Sequence, residues 1–234
     1  MQLPYFYTPE AITTSQGVLN EETSKHVSQV LRMQRGDQLQ LTDGQGTLQT
    51  ASIIEPHKKH TSVKIIESSI LPGYKNKIVI GISPLKMISR FEWFLEKATE
   101  LGVTEIIPLK CERTERQQFR HERMQHILVA GMIQSRQVWL PKFSEIKRFD
   151  QVVLKSTFPN KYIAHCADEP KTSLVECLQR AQGDRIILIG PEGDFSSKEI
   201  EHATSNKFIG VSLGDTRLRT ETAGMTACVL MNAL

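Results

Sequence analysis

Apolar and polar positions divide this chain into two rhythms. Up to about residue 72 the alternation is close to every second residue, with one helical interlude. Asn20 predicts an N-cap, with Glu21 and Glu22 in the first turn and Val27, Val30 and Leu31 on the buried face. Residues 38–42, 47–55 and 62–70 are alternating or β-branched, parted by turns at Asp43-Gly44-Gln45-Gly46 and at Pro56 to His60. Short strands with tight turns predict a small barrel or sandwich. Leu71-Pro72-Gly73-Tyr74 marks the expected boundary, giving domains 1–72 and 73–234.

Beyond that boundary apolar runs alternate with helical spacing. Strands are expected at 77–82, 103–109, 161–166, 185–189 and 208–213. Ser89 with Glu92 reads as a capping box for a helix carrying Phe91, Phe94, Leu95, Ala98 and Leu101 inward and stopping at Gly102. A long helix over 119–138 has Met124, Ile127, Leu128 and Ile133 inward, and a shorter one over 173–181 ends at Gly183. Ser196 with Glu199 is a second capping box, and Thr220 is the expected N-cap of a last helix holding Met225, Val229 and Leu230. This alternation predicts a mostly parallel α/β sheet. The runs 185–189 and 208–213 read as adjacent strands, each ending in a Gly-containing loop, where open α/β sheets place ligands.

Charge narrows the ligand. Glu192 and Asp194 in the first loop would repel a pyrophosphate, and neither G-x-G-x-x-G nor G-x-x-x-x-G-K-[ST] occurs. A ligand with hydroxyls, an amine or a positive centre suits the loop better; the plainer alternative is two tight turns before capped helices. Residues 1–72 hold six Lys/Arg against seven Asp/Glu, whereas Lys110 to Arg148 hold nine against four. Any RNA partner would draw its backbone attraction chiefly from that basic segment. The composition, 39% hydrophobic and 24% charged, is that of a globular protein, with apolar runs too short for a membrane span. MQLPYFYTPE lacks a basic n-region and an apolar h-region, so no signal peptide is expected. Cys111, Cys166, Cys177 and Cys228 are scattered and read as reduced thiols of a cytoplasmic protein. No histidine pair has metal-ligand spacing, so no metal is expected.

IGPEGDFSSKE at 189–199 and LGDTRLRTETA at 213–223 resemble the RsmE family of SPOUT methyltransferases. EKATELGV at 96–103, LRMQRGDQLQLTDGQG at 31–46 and Gln134-Ser135-Arg136 followed by Pro141 match the same family in the same order. The resemblance implies a PUA-like N-terminal β-barrel that helps recognise RNA and a C-terminal SPOUT domain with a trefoil knot. It further implies an obligate homodimer that methylates uridine N3 in small-subunit (16S) rRNA with S-adenosyl-L-methionine. Asp194 stands where the family usually has Gly, and Thr216-Arg217 where it has Arg-Ile.

Carried onto this chain, the resemblance makes Leu188, Ile189, Gly190, Pro191, Glu192, Gly193, Leu213, Gly214, Leu218, Thr220, Thr222 and Ala223 the cofactor-binding residues. Leu188, Leu213 and Leu218 are candidates to flank adenine. Arg219 would stabilise a uracil anion, and Glu221 would accept the N3 proton or orient the cofactor amine. Candidate RNA contacts are Arg32, Arg35, Arg113, Arg120 and Arg136. Arg113, Arg116, Arg120 and Arg123 would share one face if their stretch is helical, a stripe for phosphates or, with Glu112 four residues before Arg116, a salt-bridged solvated face. Two other readings remain at this stage: a non-catalytic RNA-binding or ribosome-assembly module on the same fold, and a nucleotide-dependent oxidoreductase. The missing phosphate fingerprint argues against the second.

Overall fold

The structure, a computed structural model, describes residues 2–234; Met1, at the edge of the first expected domain, lies outside them. The described chain forms two compact units, one taking in the chain to Gly73 together with Met132–Leu140, the other Tyr74–Gly131 and Pro141–Leu234.

The first unit is a five-stranded sheet in the order β1-β3-β4-β5-β2. β1 (Tyr5–Tyr7) runs parallel to β3 (Gln38–Thr42). β4 (Thr47–Glu55) pairs antiparallel with β3 and with β5 (Ser62–Ile70), and β2 (Gln16–Val18) edges β5. Alternation along β3 and β4 buries Leu39, Leu41, Ala51 and Ile53 with Phe6, Val27 and Val63. The turn between them is built by Asp43, whose Oδ1 accepts from Gln45 N (2.7 Å) and Thr47 N (3.1 Å). Gly46 has φ 99°, and a Cβ there would lie 2.3 Å from Trp139, so residues of the 132–140 segment pack directly on this turn.

Asn20 caps α1 (Glu21–Lys25) as expected, accepting from Thr23 N at 2.8 Å. The helix then widens into a π-helical turn over His26–Val30. This shifts the side-chain phase, so Val27 is buried while Val30 and Leu31 are exposed, contrary to the expectation from 3.6-residue spacing.

The second unit is an all-parallel sheet in the order β11-β13-β10-β12-β6-β7-β8, with β9 paired to β7. Its elements in chain order are β6 (Ile78–Ile82), α2 (Ile88–Glu100), β7 (Glu105–Lys110), α3 (His121–Gln134), β8 (Lys142–Phe143), β9 (Lys147–Arg148) and α4 (Phe149–Lys155). They continue with β10 (Asn160–Ala164), β11 (Thr172–Ser173), α5 (Leu174–Arg180), β12 (Arg185–Ile189), α6 (Ser197–Ser205), β13 (Ile209–Ser212) and α7 (Thr220–Ala233). The parallel α/β class follows the predicted alternation, but one inference from it fails: β12 and β13 are not neighbours. β10 lies between them and pairs with both, so its own exit enters the ligand region.

β6 and β12 are buried along their whole length, as apolar central strands must be. Gly81 lets Leu188 and Leu109 close over β6, since a Cβ there would sit 2.8 Å from Leu188 Cδ2. The capping box of Ser196 and Glu199 forms as read, whereas the one assigned to Ser89 and Glu92 does not. α2 starts one residue before Ser89, and the Glu92 carboxylate is drawn to Arg123 instead. α7 buries Gly224, Ala227, Cys228 and Met231, leaving Val229 exposed and Met225 and Leu230 half-buried. The small residues decide this face: a Cβ at Gly224 would lie 2.6 Å from Phe94, so α7 approaches α2 and β6 more closely than larger side chains allow.

Candidate active site

The loop after β12 is held from three sides. Glu192 Oε1 accepts from Lys86 N (2.9 Å) in the loop after β6. Gly193 O accepts from Arg113 Nη1 (2.7 Å) in the loop after β7. Asp194 Oδ2 accepts from Cys166 N (2.8 Å) at the exit of β10, and its Oδ1 from Phe195 N (2.8 Å). A fourth bond, Glu112 N to Glu199 Oε1 (2.9 Å), ties the start of α6 to the β7 exit. Asp194 has φ 62°, a left-handed conformation that glycine adopts freely and Asp tolerates among the few other residues. Its place in a motif position otherwise filled by Gly is therefore compatible with the same turn. These bonds also amend the charge argument from sequence: Glu192 and Asp194 point their carboxylates at backbone N–H groups of neighbouring loops rather than presenting them unsatisfied to a ligand.

The loop after β13 is built differently. Ser212 Oγ donates to Gly214 O (2.8 Å), and Gly214 adopts φ 144° with open space where a Cβ would be. Asp215, Thr216, Arg217 and Arg219 are exposed. Arg219, not Thr220, is the N-cap of α7, and Thr220 is its first, buried residue.

Two cavities open at these strand ends. One of about 370 Å³ is lined by Ala164, His165, Cys166, Lys171, residues 211–218 and Ala223. The second, about 490 Å³, is lined by Arg90, Ala164, Cys166, residues 189–192, Asp194, residues 217–221 and Ala223. His165 is buried and its Nδ1 has no partner. Burial, with the nearby Lys171 charge, holds its imidazole below the usual histidine range, so it is kept neutral. Glu221 is buried (8% exposed), with its Oε1 3.5 Å from Arg90 Nη1.

The structure thus brings together most of the predicted set. Ile189, Gly190, Pro191, Glu192, Leu213, Gly214, Leu218, Arg219, Thr220, Glu221 and Ala223 all line one or both cavities. Gly193 supports the wall through its carbonyl. Leu188 lines neither cavity; it is fully buried in the sheet core against the Gly81 gap. Thr222 is exposed, outside both cavities, and its carbonyl accepts from Thr226 Oγ1 (2.9 Å). Sequence reading missed Arg90, Lys171 and residues 164–166. The apolar run ending at Cys166 was visible, but periodicity carries no strand order, which is what places that run between the two loops.

The arginines separate into distinct roles. Residues 112–120 are not helical, so the four-arginine stripe does not form. Arg113 supports the β12 loop, Arg116 Nε donates to Lys86 O (3.1 Å), and Arg123 forms a fork with Glu92. That fork holds the Glu92 carboxyl below its usual range. No Glu112–Arg116 ion pair forms among the described residues. Arg120 is exposed, as are Arg32 and Arg35 in the first unit. Arg136, at φ 57°, donates to Leu3 O (2.7 Å) and Gln40 Oε1 (3.2 Å) and lies over the Tyr5 ring. Its guanidinium is committed inside the first unit, a packing role in place of the RNA contact expected. Among the described residues no group of three His, Cys, Asp or Glu could hold a metal ion, and no helix is long and apolar enough to cross a membrane. All four cysteines are free, Cys166 exposed at the cavity wall.

Comparison with known proteins agrees with this arrangement. Residues 73–232 match the family described as RNA methyltransferase domain, and residues 19–66 match the RNA methyltransferase PUA domain. A probable rRNA-methyltransferase from Porphyromonas gingivalis is 35% identical, with a TM-score of 0.91 over 97% of this chain and 95% of that one. The ribosomal RNA small subunit methyltransferase E from Neisseria gonorrhoeae, solved bound to S-adenosyl methionine, is 27% identical, with a TM-score of 0.87 over 99% and 98%. The protein of that name from Synechocystis is 29% identical over 97% of this chain and 76% of its own length. With a PUA match ahead of a parallel-sheet domain whose strand ends form the paired cavities, the chain belongs to the ribosomal RNA small subunit methyltransferase E family of RNA methyltransferases.

Proposed function

We propose that this protein methylates N3 of a uridine in small-subunit (16S) rRNA with S-adenosyl-L-methionine as donor. The observation that carries the reading is the pair of cavities at the exits of β10, β12 and β13 in a chain of this family. The residues fit the cofactor. The first cavity offers an apolar floor of Val211, Leu213, Leu218 and Ala223, and a glycine, Gly214, whose missing Cβ leaves the space open. Leu213, Gly214, Leu218 and Ala223 would hold it, with residues 189–193 as the opposite wall. Bound there, the cofactor supplies an electrophilic methyl group.

The chain's own residues have the remaining tasks. N3 of neutral uracil carries a hydrogen and is a weak nucleophile, so the proton must leave and the resulting charge must be stabilised. Arg219, exposed at the second cavity, is suited to the developing anion, and Glu221 to accepting the proton or orienting the cofactor amine. The N3 edge is used in base pairing, so the target is an unpaired or extruded uridine. Residues 1–72 serve as the PUA-like RNA-recognition domain, with Arg32 and Arg35 as RNA contacts. Residues 73–234 form the SPOUT domain, knotted through its C-terminal segment and working as a cytoplasmic homodimer. Arg113 acts through the β12 loop, and Arg120 is the remaining candidate RNA contact of the basic segment.

Transfer of labelled methyl to rRNA or small subunits from a strain lacking the protein tests this reading. The expected product is a single N3-methyluridine, mapped by mass spectrometry. Absence of any methyl transfer, or of S-adenosylhomocysteine binding by calorimetry, overturns it.

A further inference from the structure

Six charged side chains line the second cavity: Arg90, Arg217, Arg219, Glu192, Asp194 and Glu221. Their formal charges cancel, but their engagements do not. Glu192 and Asp194 are taken up by the N–H groups of Lys86, Cys166 and Phe195, and Glu221 faces Arg90. Arg217 and Arg219 are exposed and have no ion-pair partner among the described residues. A guest in this cavity therefore meets a positive field. The first cavity is different, with a floor of aliphatic side chains and its own charges, Lys171 and Asp215, at the side. The two share a low wall, chiefly Ala164, Cys166, Leu218 and Ala223, across which a group held in one reaches a group held in the other.

Resting on the rRNA-methyltransferase reading, we infer that the second cavity receives the extruded target nucleotide of the RNA, and that Arg90 is a positioning residue there, holding the Glu221 carboxylate at the cavity wall while Arg219 stays free for the anionic guest. About 490 Å³ is room for a nucleobase with its ribose, whose phosphate is then within the reach of exposed arginines. Arg90 projects from α2 and Glu221 from α7, so their pairing fixes a side chain that its own helix does not. A carboxylate as buried as Glu221 is costly to leave without its cation, so losing Arg90 would turn it away or neutralise it. The cofactor cavity does not include Arg90, and its affinity should not depend on it.

The test uses the full protein, 16S rRNA or small subunits from a strain lacking it, and the variants R90M, R90K, E221Q and R90M/E221Q. R90M is expected to lower kcat/KM for RNA by about tenfold or more, while the Kd for S-adenosylhomocysteine stays within about twofold. R90K recovers part of the loss. The double variant, which leaves no buried unpaired carboxylate and so guards against misfolding, is no worse than E221Q alone. An R90M protein equal to wild type, a Kd for S-adenosylhomocysteine weakened as much as the RNA parameter, or additive losses in the double variant would overturn the inference. A wild-type protein that transfers no methyl overturns the underlying reading as well, so the two failures are told apart by the wild-type reaction.

Discussion

The loops after β12 and β13 resemble each other in sequence, each with a glycine at its start and a helix at its end, yet the structure treats them as opposites. The β12 loop is anchored residue by residue: Glu192, Gly193 and Asp194 each take a hydrogen bond from a different strand exit. The β13 loop is held near its start by Ser212 and Gly214, and its four polar residues at 215–217 and 219 face solvent. One wall of the site is thus a fixed template, and the other carries mobile functional groups on a tight base. Rigidity in the first comes from carboxylates satisfied by backbone amides, a strong kind of hydrogen bond. Freedom in the second leaves arginines available to a ligand.

If this contrast is real, damage to the two loops should appear in different measurements. The largest effect is expected from Arg219→Ala, which should lower kcat by roughly 10²–10³ with the melting temperature nearly unchanged; a large loss of stability would mean the β13 loop is also structural. Gly224→Ala, beneath that loop on α7, should destabilise by about 1–3 kcal/mol in denaturant unfolding, because its methyl would meet Phe94 at 2.6 Å. Asp194→Ala should cost about 1–3 kcal/mol by stranding the Cys166 and Phe195 N–H groups. Asp194→Gly should recover part of that cost, since glycine relieves the φ 62° backbone while losing the same acceptors.

The smallest effect is on pH dependence. Burial lowers the His165 pKa in the folded protein, so the unfolded chain binds the proton more readily and stability falls as pH drops below about 6.5. Thermal melts between pH 7.5 and 5 should show that loss, and His165→Asn should flatten it. An unchanged slope would remove His165 from the fixed wall.

Elements were more legible in this chain than their arrangement. β3, β4, β5 and β12 fall where the alternation put them, and the caps at Asn20 and Ser196 formed, because period and capping chemistry act within a few residues. The face of α7 was misread, because Gly224, Ala227 and Cys228 carry little hydrophobic signal and are chosen only when α2 comes close enough to exclude larger groups. The Ser89 box failed for a related reason: Glu92 had a better partner in Arg123, 31 residues away.

By itself, then, the sequence determined the α/β alternation, the two ligand loops and the residue types they carry, since each is written in neighbouring positions. Only the tertiary structure decided that β10 stands between β12 and β13, that Glu192 and Asp194 spend their charge on other loops, and that Arg90 meets Glu221. Those outcomes depend on strand order and on contacts between segments far apart in the chain, which no local pattern encodes.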